Sequence, residues 1–308
     1  MSESSIIVVA ILLRALGYKE AIRLENVSTA IMNVPQIAED RVRDKLSTGR
    51  RTRLMYAAHT GNISGAKELL QLGADIDAQD SRGFTALMYA VQSGHPDMVR
   101  FLCESGASLD LLARLGITAL HVAIPSGRLD IVHILCEQGI NLDLNPGMSP
   151  IWCAATCGQF DIVCYLAEHG ACLDVYHFCH METPLTLVTG AGDIHTVRTL
   201  VECGANLDLP TRDRGTALCI AIKHGHTALA HYLIEQGANI NVRFDRNPQT
   251  PLSLAIEAKE FEMVRIFKEK GADFSDFDDG ATLYRFACEV HGETDPFTLR
   301  LKEYLQFA

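Results

Sequence analysis

The residues with the richest chemistry are the ten cysteines and twelve histidines spread over 308 positions. They crowd at Cys153, Cys157, Cys164, Cys172, His177, Cys179 and His180. Thiolate and imidazole together are what zinc prefers, and a cysteine beside a histidine can form a reactive thiolate. The spacing speaks against both uses. Closed zinc sites take ligands in tight pairs, and the chain has no C-x-x-C. Only Cys157, His177, Cys179 and His180 could share one face, as ligands of a metal-binding regulator. The alternative is that the cysteines pack as small apolar residues; no metal and no cofactor is then expected. There is also no G-x-G-x-x-G, Walker loop or G-x-S-x-G elbow, and carboxylate pairs such as Asp278 and Asp279 read as solvated loops. No catalytic residue is assigned, and the chain is not expected to be an enzyme.

The elements that hold these residues come from a repeat. LLQLGADIDA returns as LCESGASLDL, LCEQGINLDL, LAEHGACLDV, LVECGANLDL, LIEQGANINV and FKEKGADFSD. The shared glycines, Gly73, Gly106, Gly139, Gly170, Gly204, Gly237 and Gly271, are separated by 33, 33, 31, 34, 33 and 34 residues. A second glycine precedes each by twelve residues, at Gly61, Gly94, Gly127, Gly158, Gly192 and Gly225; in the seventh unit Lys259 takes its place.

Within a unit, Thr85 is placed to cap a short helix. Thr118, Thr183, Thr216 and Thr250 recur there, with Ser149 as a chemical substitute. Leu87 and Ala90 recur as Leu120/Ala123, Ile151/Ala154, Leu218/Ala221 and Leu252/Ala255, small alanines letting helices approach. Gly94 ends this helix where the chain must turn with positive φ. A second helix carries Met98, Val99 and Leu102 on one face, matched by Ile131/Val132/Leu135 and Ile162/Val163/Leu166. Helix pairs this short cannot bury an apolar face alone, so the units must stack.

On the 33-residue period, the run Thr118, Ala119, Leu120, His121, Val122, Ala123, the Thr-Pro-Leu runs at Thr183 and Thr250, and the G-A-D-x-N tails, the chain resembles the ankyrin repeat family. The resemblance covers residues 52 to about 277. It implies an all-α solenoid of paired antiparallel helices with β-turn fingers. The expected organisation is an N-terminal helical cap over 1–51, seven repeats over 52–277 and a degenerate capping repeat over 278–308, forming one elongated domain. In the first segment Ile6–Leu16, Lys19–Leu24 and Glu39–Leu46 suggest helices. The resemblance also implies that His121 is structural, bonding across to the neighbouring turn.

Charge narrows the partner. Residues 1–53 hold nine basic and six acidic residues, a net of +3, which leaves 18 basic and 32 acidic residues beyond them, a net of −14. An acidic body repels phosphate backbones, so nucleic acid is not expected. The longest apolar run, Ile6 to Leu13, is too short to span a bilayer, and the residues before it lack the basic charge of a secretory signal. Reduced thiols then place the protein in the cytoplasm. The nucleus is the alternative: the basic run Arg41, Arg43, Lys45, Arg50, Arg51 and Arg53, broken by Asp44, reads better as a solvated helix face than as a localisation patch.

The resemblance implies that a partner is held by the finger tips and the exposed side of the first helices. Position by position, the tips contribute Arg82 and Phe84; Leu112, Arg114, Leu115 and Ile117; Met148; Tyr176 and Phe178; Arg212; and Arg243, Phe244 and Arg246. The helix side contributes Gln92 and Ser93, Pro125 and Ser126, Thr156 and Cys157, Lys223 and His224. Turn tips need only polar residues, whereas aromatics and arginines are what binding hot spots favour. A tip aromatic packing on its neighbour is the alternative. The expected function is a non-catalytic protein-interaction scaffold or adaptor for another protein or peptide, acidic in character. The other reading is a substrate-recognition subunit delivering a bound protein to an enzyme such as a ubiquitin ligase, although residues 279–308 show no recognisable docking box. Some similar proteins are hydroxylated on an Asn four residues after the closing glycine; here Asp77, Asp110, Asp143, Asp174, Asp208, Asn241 and Ser275 stand there, so Asn241 is the modification candidate. The alternative is that Asn241 bonds within its turn, as Asp would in its siblings.

Overall fold

The computed structural model describes residues 51–144, 148–176, 181–212, 215–243, 250–272 and 280–306. The helices expected before residue 51 lie outside the described residues. The chain divides into two compact units, Met1–Val175 and Tyr176–Ala308, where the repeats by themselves predict one domain. In a repeat array each repeat is stabilised mainly by its neighbours.

In the first unit the helices come in pairs: α1 (Arg53–His59) and α2 (Ile63–Gln71), α3 (Ala86–Ser93) and α4 (Pro96–Glu104), α5 (Ala119–Ala123) and α6 (Leu129–Glu137), α7 (Pro150–Cys157) and α8 (Phe160–Glu168). The first helices α1, α3, α5 and α7 pack on one another in sequence, and so do α4, α6 and α8. The second unit repeats the plan with α9 (Pro184–Ala191) and α10 (Ile194–Glu202), α11 (Ala217–Lys223) and α12 (Thr227–Glu235), α13 (Pro251–Glu257) and α14 (Phe261–Glu269), then the longer α15 (Gly280–His291) and α16 (Pro296–Gln306).

Local sequence explains each helix. The Thr85 hydroxyl accepts from the Met88 N–H at 3.3 Å, and Ser149 and Thr250 cap α7 and α13 in the same way. Pro at the first position of α4, α7, α9 and α13 gives up an N–H that would have no partner there. The apolar triplets of the second helices are in the core: Met98, Val99 and Leu102 are wholly buried, as are Ile131, Val132 and Leu135. A fully buried side chain of this size contributes about 1.5–3 kcal/mol.

Gly94 meets two demands. Its φ of 71° is left-handed, and a Cβ there would lie 2.2 Å from the Arg128 guanidinium of the next repeat. That guanidinium donates to the Gly94 carbonyl at 3.0 Å. The same rung recurs where His95 Nε2 meets the His59 carbonyl at 3.1 Å and, in the second unit, where His291 Nε2 meets the Ile256 carbonyl at 2.7 Å. Lys259, standing where other units have glycine, takes the left-handed conformation with φ 59°. Its ammonium pairs with Asp295 at 2.6 Å, linking α13 to the turn before α16.

A second rung runs through the tails. The Asp110 carboxylate accepts from the Asn141 N–H at 2.9 Å, and Asp143 accepts from the Cys172 N–H at 2.9 Å. In the second unit Asp208 accepts from Asn239 N–H at 2.8 Å. Asp77 takes both the N–H and the hydroxyl of Ser108. Asp77, Asp110, Asp143 and Asp208 thus reach to the next repeat, where the sequence suggests bonds within their own turns; an in-turn bond is made by the residue two before, as when Asn141 accepts from Asp143 N–H at 2.9 Å.

Candidate binding surface

The finger before α3 is built around a buried carboxylate. Asp80 is 7% exposed and accepts from the Arg82 and Phe84 N–H groups and the Tyr89 hydroxyl, each at 2.8 Å. Arg82 closes the network, lying 3.5 Å from Asp80 and donating to the Tyr89 hydroxyl at 2.8 Å. Its guanidinium also sits 4.6 Å from the Phe84 ring centroid, and Phe84 meets Tyr89 edge-on. Two expectations change here. Phe84 is 1% exposed, a core residue rather than a binding anchor, because Asp80 folds the tip back over Tyr89. Arg82 keeps only 26% of its side chain exposed. Burial pushes the Tyr89 phenol up to about 12, so it remains a donor.

The finger before α5 differs. Ala113 takes the place of Asp80, five residues before the capping threonine. The turn closes through backbone alone, Ala113 N–H to the Ile117 carbonyl at 2.8 Å. Ile117, a second predicted contact, is 1% exposed, because the residue before the cap points into the core. The tip itself stays out: Leu112 is 45% and Leu115 66% exposed, and Arg114 is exposed between them. Leu115 has φ 64°, which costs a branched residue about 1–2 kcal/mol. The two fingers are joined by Arg114 N–H to the Arg82 carbonyl at 2.9 Å and by the Gln79 amide to the Leu112 carbonyl at 3.0 Å.

On the helix side of the first unit, Gln92, Pro125 and Cys157 are half-buried and Ser126 is exposed. Ser93 is engaged with His59 Nδ1 at 2.5 Å. Thr156, also predicted here, is buried and donates to the Trp152 carbonyl at 2.9 Å; its burial takes it off the exposed side of the helix. Met148 is half-buried, and its carbonyl accepts from His121 Nε2 at 2.5 Å. The Thr118 N–H donates to His121 Nδ1 at 3.2 Å, so this buried ring is neutral with its proton on Nε2. Burial holds its pKa below the ordinary value. The structural role expected of His121 is what the geometry shows.

In the second unit Arg212, Lys223, His224 and Arg243 are exposed and Tyr176 is half-buried. His224 bonds the Ile220 carbonyl at 3.0 Å and stacks on His226. Phe178, Phe244 and Arg246 lie outside the described residues. Asn241 is exposed, and its N–H donates to Asn239 Oδ1 at 2.9 Å. Sequence reasoning passed over Met181, which is 44% exposed at φ 50°. It stands two residues before the capping threonine, where Gly83 and Gly116 occur in the first unit. That alignment was the available signal. It also passed over Asp80, Tyr89 and His59, which are set apart by what the repeats do not share, and it read Arg51 only as part of a solvated basic run.

The more buried thiols are unlike nucleophiles. Burial pushes Cys103, Cys136 and Cys157 up to about 11, and Cys153 well above its ordinary range. A catalytic thiol needs the opposite shift. His177, Cys179 and His180 lie outside the described residues; among those described, no group of three or more His, Cys, Asp or Glu side chains is placed to hold a metal. No described helix is long and apolar enough to cross a membrane.

Comparison with known proteins agrees with this geometry. The ankyrin repeats family model matches in three copies, over residues 21–113, 109–177 and 173–244. The first copy reaches into the segment expected to be a non-repeat cap. An ankyrin repeat and KH domain-containing protein, mask-1 of Caenorhabditis elegans, is 28% identical over 152 residues, 49% of this chain and 6% of that protein. Ankyrin repeat and SOCS box protein 14 of Mus musculus is 28% identical over 160 residues, 48% of this chain and 27% of that protein. The chain thus spans a small part of the relatives it matches. The crystal structure of the ankyrin repeat domain of Bcl-3, a member of the IkappaB protein family, superposes with a TM-score of 0.63 at 26% identity, covering 70% of this chain and 98% of that one. With the capped helix pairs, the inter-repeat rungs and a family model that matches well over half its length, this chain belongs to the ankyrin repeat family.

Proposed function

We propose that the chain is a non-catalytic scaffold or adaptor that binds a protein or peptide of acidic character on its finger tips and on the exposed side of its first helices. Ankyrin repeats are protein-interaction modules. The observation that carries the reading is Leu115, a leucine 66% exposed at a finger tip and held at a left-handed φ of 64°. Strain together with apolar exposure is expected where the gain comes on binding. Leu112 and Arg114 beside it belong to this surface, and Met181, Arg212, Lys223, His224 and Arg243 are the corresponding exposed positions of the second unit, taken by itself. Phe178, Phe244 and Arg246 join it by their sequence positions. In this reading residues 1–51 and 278–308 cap seven repeats over 52–277, and the protein works in the cytoplasm.

The test is affinity capture with the paired substitution Leu112→Ser and Leu115→Gly. Both side chains are exposed, so the fold is expected to survive and partner recovery to fall at least tenfold. The same partners at the same yield would show that this surface is not the one used.

A second reading is substrate recognition for a partner enzyme such as a ubiquitin ligase. Its support is the likeness to a protein that combines ankyrin repeats with a SOCS box. Ligase subunits in the captured complex, and ubiquitin on the bound partner, separate it from the first reading.

A further inference from the structure

The first two fingers of the first unit carry an unbalanced charge beside an exposed apolar tip. The Arg51 guanidinium lies 4.8 Å from the Tyr89 ring centroid, and the Arg82 guanidinium lies 5.8 Å from the same centroid. Asp80 is the carboxylate engaged with this group among the described residues, and it is shared with Tyr89 and two backbone N–H groups. Among the described residues two guanidiniums stand against this one carboxylate, a balance that favours a second anion. The neighbouring His59 reports the same excess: burial first, then Arg51, then His95 hold its pKa below the ordinary value. Directly alongside, bonded through the Arg82 carbonyl, is the tip that presents Leu112, Arg114 and Leu115.

We propose that these two fingers form a bipartite site for an acidic peptide segment. Arg51 and Arg82 receive one of its carboxylates, an apolar side chain of the same segment seats on Leu112 and Leu115, and Arg114 faces the charge between them. This deepens the reading above and rests on it. A guanidinium presents a planar fork that matches a carboxylate. A carboxylate meets the guanidinium fork with one negative charge, whereas a phosphate dianion would set about twice that charge against buried Asp80. Tyr89 is a positioning residue, because its hydroxyl holds Arg82 in place.

The experiment is selection of randomised nonapeptides on the full chain, followed by fluorescence polarisation with the selected peptides. The expected peptides carry Asp or Glu within a few residues of Leu, Ile, Phe or Met. Arg51→Gln should weaken binding at least tenfold, and Leu115→Gly by a similar factor without lowering the unfolding midpoint. Affinity should fall as salt rises, since exposed charges are screened over about 10 Å at 0.1 M. A selected pool without acidic residues, a phosphoserine version that binds more tightly, or affinity unchanged in Arg51→Gln each overturns the acidic site. If the bound peptide is not acidic yet Leu115→Gly releases it, the finger surface stands and only this inference falls. If the paired Leu112→Ser and Leu115→Gly variant binds as well as wild type, both fall.

Discussion

The fingers before α3 and α5 are adjacent and hydrogen-bonded, yet they put the same kinds of residue to opposite uses. In the first, an aromatic and an arginine are drawn inward: Asp80 gathers Arg82, Tyr89 and the Phe84 N–H, and the Phe84 ring goes with them. In the second, Ala113 offers no acceptor side chain, so the tip turns on backbone bonds and its leucines stay in water. A single buried carboxylate decides whether the apolar residues of a finger go into the core or stay in water. An aromatic or arginine at a turn tip is therefore weak evidence of binding until the acceptors beneath it are known.

The largest test of that contrast is Phe84→Ala, expected to cost about 3–5 kcal/mol in urea unfolding, against a change within about 0.5 kcal/mol for Leu112→Ala. Equal losses would erase the distinction between the fingers.

Acid should loosen both fingers from behind. His59 beside the first, and His121 in the helix that the second enters, have folded-state pKa values lowered from 6.5. A lowered histidine binds fewer protons folded than unfolded. Its contribution is thus complete above 6.5 and is lost as pH falls toward the folded value. Protonating His121 also removes the acceptor for Thr118 N–H. The urea midpoint should drop between about pH 7 and about pH 5, and His121→Gln should flatten the slope. A level profile in the wild type would refute the neutral assignment of that ring.

Leu115→Gly should raise stability by up to about 1 kcal/mol, because glycine adopts positive φ without strain. A loss of stability instead would mean that the leucine supports the finger, as buried Phe84 does in the first.

The smallest expected effect is at Asn241, whose side chain is exposed. It remains the candidate for hydroxylation in the second unit, exposed and with its N–H held by Asn239. Incubation with an asparaginyl hydroxylase should add one oxygen to the Asn241 peptide with no measurable shift in midpoint. An unmodified peptide, with a control substrate turned over, would end the idea.

Much of this molecule is written in its chain. The capping threonines, the proline starts, the left-handed glycines and the buried triplets could be read off because each depends on residues a turn or two away and recurs with the period. Lys259 could be singled out for the same reason, and it does adopt the glycine-like conformation, though its pairing with Asp295 could not be foreseen. The binding surface was legible only in part. Leu112, Arg114 and Leu115 stand exposed as read, whereas Phe84, Ile117 and Thr156 are buried and Met181 was passed over. The tail aspartates were assigned to the wrong partner because their acceptor role is completed by an N–H about one repeat further on, as between Asp110 and Asn141. Periodicity determines where each repeat begins, turns and packs. Which tips face a partner is decided by side chains that meet only once neighbouring repeats are stacked, since a carboxylate such as Asp80 redirects an aromatic through contacts that no local pattern encodes.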